Sequence, residues 1–187
     1  MRKYRSGWAV WITGLPGSGK STIARLLAKK LANKGILTQI LSSDMLRRSL
    51  TPRLGYTEKE RDQVYSALIF TAKLLTQNGI NVIIDATGNR RRYRDKARKE
   101  IGNFLEAYLK CPLELCIERE KRRRKLLGAP RGIYKKGLNK LSSTVPGLGA
   151  PYEHPLNPEV TVNTDQLSCK DSANKILEAV VSKFGLE

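Results

Sequence analysis

Gly14-Leu15-Pro16-Gly17-Ser18-Gly19-Lys20-Ser21 reads G-x-x-x-x-G-K-S, and the fold follows from what surrounds it. Upstream, Trp8-Ala9-Val10-Trp11-Ile12-Thr13 is an apolar run of strand length. Downstream, Ile23, Leu26, Leu27 and Leu31 recur at helical spacing across Thr22 to Lys34. Strand, glycine-rich turn and helix in that order are the context a phosphate-binding loop requires. Small residues let successive main-chain N–H groups turn inward at a helix N-terminus, where the dipole already favours negative charge. A chance glycine-rich turn would lack both flanks. The eight residues and Thr22 are therefore the candidate nucleoside-triphosphate-binding set. Within it, Lys20 is the candidate catalytic cation for the β- and γ-phosphates, and the Ser21 hydroxyl a candidate Mg²⁺ ligand.

Working outward, strand and helix patterns alternate to the end of the chain. Ile36 to Leu41 reads as a second strand, with Gly35 at its start, and ends at Ser42-Ser43-Asp44. Thr57-Glu58-Lys59-Glu60 is a capping-box start to a long helix that stops near Asn78-Gly79. Ile80 to Asp85 is a third strand, nearly all apolar, as a sheet covered on both faces demands. A basic helix follows, then a strand from Phe104 to Leu109, then a helix opened by Pro112. Residues 126–158, rich in Gly and Pro, read as a long loop or lid. Val160-Thr161-Val162 is the last strand, and Ser168 caps a closing helix through Phe184. Alternation of this kind predicts an α/β fold, a mostly parallel sheet with helices on both sides. Its ligands sit at the carboxyl ends of the strands.

Asp44 and Asp85 fall on that rim. Acids at strand ends can simply cap the next helix, but phosphoryl transfer to an alcohol also needs a carboxylate near the attacking oxygen. Asp44 is a candidate for both base and metal ligand, and Asp85 for metal. Arg47 follows Asp44 by one helical turn, where its guanidinium could clamp an anionic acceptor.

Composition narrows the class. A chain of 187 residues is expected to form one domain, and 40% hydrophobic with 28% charged residues fits a soluble globular protein. No apolar run is long enough to span a bilayer, which predicts no membrane partner. Cys111, Cys116 and Cys169 form no metal spacing and read as thiols of a reducing cytoplasm. His154, the only histidine, sits among prolines, which speaks against a histidine base. The net charge of +18 suits an anionic partner. It concentrates in Arg90 to Lys99 and Arg119 to Lys125. For each run a solvated helix face is as good an account as an anion site, and neither is flanked by the aromatics of a single-strand stacking platform.

Several segments resemble the adenylylsulfate kinase family, which phosphorylates the 3′-hydroxyl of adenosine 5′-phosphosulfate with MgATP. These are Asp44-x-x-Arg47, then Leu54-Gly55-Tyr56-Thr57 with Arg61, then Arg131-Gly132-Ile133-Tyr134-Lys135-Lys136, and Pro151-Tyr152-Glu153-x-Pro155 with Asn157-Pro158-Glu159. The resemblance implies a nucleotide-kinase-like fold with five parallel strands, acting in sulfate assimilation with ATP as co-substrate and Mg²⁺ as cofactor. It implies that Asp44 serves the hydroxyl and the metal, that Arg47 and Arg61 grip the phosphosulfate, and that Tyr56 stacks on the acceptor adenine. Lys135 would belong to a lid over both nucleotides, spanning about 119–158, and Arg119 would face ATP. A homodimer is compatible with it.

The chain departs from the family pattern on the acceptor side. Ser42-Ser43-Asp44-Met45 stands for Asp-Gly-Asp-Asn, and Gln63-Val64-Tyr65-Ser66-Ala67 loses an amide and two arginines. Ala86-Thr87-Gly88-Asn89 stands for Phe-Ile-Ser-Pro, Val145 replaces a stacking Phe, and a basic stretch is inserted at about Lys121 to Pro130. Asp85-Ala86-Thr87, with Arg91 and Arg94, is closer to polynucleotide 5′-hydroxyl kinases and their small-molecule relatives. That resemblance makes a nucleic-acid 5′ end the alternative acceptor, with the two arginines as a clamp. The lost acceptor residues leave a catalytically silent nucleotide-binding module as a third reading.

Overall fold

The computed structural model describes residues 6–50, 56–122, 132–138 and 144–186. Its centre is β1 (Ala9–Gly14), every residue of which is buried. Around it lie β2 (Thr38–Ser42), β3 (Asn81–Asp85), β4 (Phe104–Lys110) and β5 (Val160–Asn163). The five form one sheet in the order β2-β3-β1-β4-β5, with every neighbouring pair parallel. Among the described residues the helices are α1 (Lys20–Ala32), α2 (Ser43–Leu50), α3 (Glu58–Gln77), α4 (Arg91–Glu100), α5 (Leu113–Arg122), α6 (Ile133–Leu138) and α7 (Cys169–Phe184).

The unbroken apolar strands follow from burial on both faces. Val10, Ile12, Ile83, Leu105, Leu109 and Val162 pack on one side against Ile23 and Leu27 of α1 and Ile176 and Val180 of α7. Trp11, Val82, Ile84 and Phe104 pack on the other against Tyr65, Leu68 and Ala72 of α3 and Tyr93 and Ala97 of α4. α1 therefore follows β1 on one face, while α4 follows β3 on the opposite face. The chain parts between these adjacent strands and opens a crevice at their carboxyl ends.

Local signals set the element ends. Thr57 accepts the Glu60 N–H at 3.3 Å while Glu60 accepts the Thr57 N–H at 2.9 Å, which is the anticipated capping box. Ser168 likewise accepts the Asp171 N–H at the start of α7. Strand β2 begins at Thr38 rather than near Gly35, because Gly35 and Ile36 donate their N–H groups back to Ala32 and Leu31 and finish α1 first. Two helices depart from the expected reading. α2 forms directly after β2, where only a one-turn spacing had been evident, and α6 lies inside the segment read as loop, with Tyr134 fully buried beneath it. No described helix is long and apolar enough to cross a membrane.

Candidate active site

The phosphate loop joins β1 to α1 at the centre of the rim. At Gly17, φ is +85°, and a Cβ there would stand 2.3 Å from the Cys116 carbonyl oxygen, so only glycine fits against α5. Gly19 caps α1 without any side-chain bond. Among the described residues, the N–H groups of Gly17, Gly19 and Ser21 find no main-chain acceptor, leaving the donor set that an anion at a helix start requires. Lys20 Nζ reaches the Gly14 and Leu15 carbonyls at 3.1 and 3.0 Å, arching over the loop. The Ser18 hydroxyl is buried in the loop without a hydrogen-bond partner. Tyr134 donates its hydroxyl to the Pro16 carbonyl at 2.7 Å, which ties α6 to the loop.

Next to the loop on its β5 side, Arg119 donates to the Thr164 carbonyl at 2.7 Å. Cys111 and Cys116 lie between, and burial reinforced by Cys111 pushes the Cys116 thiol up to about 12, so it is an inert packing group. Arg119 therefore stands on the opposite side of the loop from the acceptor candidates.

On the other side, Ser42 and Asp85 are register partners at the ends of β2 and β3, and Asp44 lies two residues beyond Ser42 in the first turn of α2. Ile83 faces α1, and Asp85, two residues on, shares that face toward the helix start. Asp85 is 8% exposed, and its carboxylate makes no hydrogen bond or ion pair with any described residue. Among the described residues no three metal-binding side chains cluster. A hard cation here would instead take one or two protein oxygens and complete its shell from phosphates and water, as Mg²⁺ commonly does. Ser21, Asp44 and Asp85 fit that requirement.

Two buried arginines approach the Tyr56 ring. The Arg47 guanidinium lies 4.4 Å from its ring centroid and that of Arg61 5.6 Å. Burial raises the Tyr56 pKa, and the Asp44 charge adds to the shift against the two guanidiniums, so the phenol stays neutral. Burial likewise lowers the Arg61 pKa, with Arg47 contributing in the same direction. Arg61 donates to the Tyr56 carbonyl (3.2 Å), the Thr144 carbonyl (2.5 Å) and Asn89 Oδ1 (3.4 Å), all neutral acceptors. The structure thus gathers Asp44, Arg47, Tyr56 and Arg61 beside the loop. Lys135 is exposed on α6, and the Arg122-to-Pro130 part of the basic insert lies almost wholly outside the described residues.

The clamp expected of Arg91 and Arg94 is not what the structure shows for Arg94. That side chain is 1% exposed and bonded to Glu106 at 2.6 Å, to the Gly88 carbonyl and to the Glu153 carbonyl. It is a buried strut. Sequence reasoning also passed over Asn89, Thr13 and Tyr152 as functional groups. Thr13 and Tyr152 share a 2.9 Å hydroxyl contact that seats the Pro151–Pro155 strap on β1. The Pro-Tyr-Glu signature was visible, but its role as a strap over the rim exists only once the strands are assembled.

A parallel sheet, a phosphate loop between its central strand and first helix, and carboxylates at neighbouring strand ends define a P-loop kinase, an ATP-dependent phosphotransferase. The family model for adenylylsulphate kinase matches residues 6–163. The adenylyl-sulfate kinase of Rippkaea orientalis is 37% identical over 172 residues, 92% of this chain and 90% of that protein. The probable adenylyl-sulfate kinase of Archaeoglobus fulgidus is 40% identical over 159 residues, 85% and 97% of the two chains. The APS kinase of Mycobacterium tuberculosis, solved in complex with AMPPNP and APS, superposes with a TM-score of 0.82 at 30% identity, covering 94% of this chain and 98% of that one. The chain belongs to the adenylylsulfate kinase family.

Proposed function

We propose that the chain transfers the γ-phosphoryl group of ATP to the 3′-hydroxyl of adenylylsulfate, giving ADP and 3′-phosphoadenylylsulfate, a step of sulfate assimilation. The observation that carries it is the Arg47–Tyr56–Arg61 arrangement beside Asp44: an aromatic ring approached by two buried cations, one of them bonded, among the described residues, to neutral groups alone. Such a site takes a flat base and an anion together. The phosphate-loop amides and Lys20 hold the triphosphate and neutralise charge on the transferred group, which supplies most of the catalysis in phosphoryl transfer. Ser21, with Asp44 or Asp85, would hold Mg²⁺, which would supply positive charge to offset that of the triphosphate. Asp44 accepts the hydroxyl proton as the O–P bond forms and the bond to the β-phosphate oxygen breaks. Arg119 flanks the nucleotide, and the segment around 119–158, with Lys135, forms the lid. The proposal extends to a cytoplasmic homodimer, which sedimentation of the purified chain tests.

A nucleic-acid acceptor draws little support from the basic run, since Arg90, Arg92, Arg94 and Arg98 pair with carboxylates of the same chain. The retained Lys20, Ser21 and Asp44 speak against a silent module, since a pure binder needs no acid beside the acceptor. Incubation with MgATP and adenylylsulfate should give a 3′-phosphorylated product. ATP hydrolysis without that product overturns the reading. Asp44→Asn should cut kcat by roughly 10²–10⁴ while ATP affinity holds. Equal loss of both would make Asp44 a structural acid.

A further inference from the structure

Asn89 is 2% exposed, and its polar groups link three segments of the rim. Its Oδ1 accepts Arg61 Nη1 at 3.4 Å, its Nδ2 donates to the Pro151 carbonyl at 3.2 Å, and its own carbonyl accepts the Glu153 N–H at 2.8 Å. The mount is rigid. The preceding Gly88, at φ +52°, donates its N–H to the Tyr65 hydroxyl at 2.9 Å. A Cβ at Gly88 would lie 2.9 Å from Trp11 Cζ2 and 3.1 Å from Arg94 Cγ, so nothing larger than glycine enters. Asn89 is thus pinned from below by the core and from the side by the strap.

What Asn89 holds is a guanidinium of unusual status. Arg61 is 8% exposed, yet no carboxylate of a described residue lies within ion-pair distance of it. Arg94, at 1% exposure, has Glu106 at 2.6 Å. A buried charge is costly unless it is paired, and pairing with Glu106 removes the demand of Arg94 for any further anion. Neutral oxygens from Tyr56, Asn89 and Thr144 orient the Arg61 plane and leave its charge uncancelled. Asn89 is the single side chain among these three acceptors; the others are main-chain carbonyls.

We propose that Asn89 is a positioning residue for the anionic group of the acceptor, acting through Arg61: its amide oxygen sets the guanidinium plane without neutralising it. The inference rests on the reading that Arg61 grips the acceptor. It assigns the amide, rather than a carboxylate of nearly the same shape, a functional reason for being at position 89.

Two near-isosteric variants separate charge from geometry. Asn89→Asp keeps an oxygen against Arg61 but forms an ion pair with it, and should raise KM for adenylylsulfate by about tenfold to a hundredfold. Asn89→Leu removes the acceptor and should raise it by about three- to tenfold. In both, KM for ATP and kcat at saturating acceptor should stay within about twofold, since only uniform acceptor binding is lost. A purely structural role would move the ATP parameters or the melting temperature instead. If Asn89→Leu does not melt cooperatively, Asn89→Ala, which also removes the acceptor, takes its place with the same rise of about three- to tenfold in acceptor KM expected. Unchanged acceptor KM in folded variants, or an equal rise in KM for ATP, overturns the inference while the reading stands. Absence of adenylylsulfate turnover by the unaltered chain overturns both.

Discussion

Helix α4 and the Arg47–Arg61 pair are two basic regions with opposite fates. Arg90 to Lys99 is the louder of the two in the sequence, and the structure absorbs most of it. Arg90 meets Glu153 at 3.1 Å, Arg92 meets Asp62 at 2.7 Å, Arg94 meets Glu106, and Arg98 meets Glu159 at 2.5 Å. Arg47 and Arg61 stand fourteen positions apart in the numbering with no basic run around Arg61, yet the fold buries both against one tyrosine ring. Density of charge along a chain says little about which guanidinium meets a carboxylate: among the described residues Arg94 is paired with Glu106, whereas Arg61 meets only neutral oxygens.

Four changes test that contrast, beginning with the strongest. Arg94→Leu leaves Glu106 buried with only the 3.4 Å contact to Arg98. It should cost about 3 kcal/mol, read as a fall of roughly 10 °C in melting temperature. Replacing Glu106 by Leu as well should recover much of that loss, because a buried pair can often be exchanged for packed apolar groups. No recovery would mean that Arg94 acts mainly through its bonds to Gly88 and Glu153.

Arg61→Gln should do the reverse. Acceptor KM should rise by roughly tenfold to a hundredfold, with stability changing by less than about 1 kcal/mol, since an unpaired buried cation contributes little to folding. A collapse in stability with unchanged KM would move Arg61 into the same class as Arg94.

The Glu159 network gives the third test. Burial works to raise the pKa of Glu159, but hydrogen bonds from Arg98, Lys183 and the Glu106 N–H outweigh it and hold the carboxyl at about 2. A depressed carboxyl pKa adds stability that is complete above the unfolded value near 4.5 and is lost as pH falls from there toward about 2. Melting temperature should therefore drop across that acid window, and Glu159→Gln should flatten the drop. An unchanged acid profile in the variant would show that another carboxylate governs it.

Arg92→Ala is the smallest. Arg92, Glu58 and Asp62 are all about half exposed, so the cluster should be worth less than about 1 kcal/mol by thermal melting and should weaken further in salt.

Legibility followed the range of the interactions. The phosphate loop was readable because its eight residues are contiguous and act through their own backbone or through the adjacent Lys20 and Ser21 side chains. The capping box of α3 and the Ser168 cap of α7 were readable for the same reason, as each closes within three residues. Helix α6 was hidden because Gly132 and Gly137 mask a turn that packing of Tyr134 against Cys116 and Val145 stabilises. The Val145 position, read as a lost stacking ring, is an apolar support for α6. Asn89 was hidden because its three partners lie 28 to 64 positions away, at Arg61, Pro151 and Glu153.

The sequence by itself determined the parallel α/β sheet, the triphosphate loop and the candidate acids, since apolar period, glycine spacing and strand ends are local or periodic properties. Only the tertiary structure decided that Arg94 is paired with a carboxylate while Arg61 is met by neutral oxygens. That choice depends on whether a distant strand or strap delivers a carboxylate or a carbonyl to the same buried guanidinium, and pairing across the sheet has no signature along the chain.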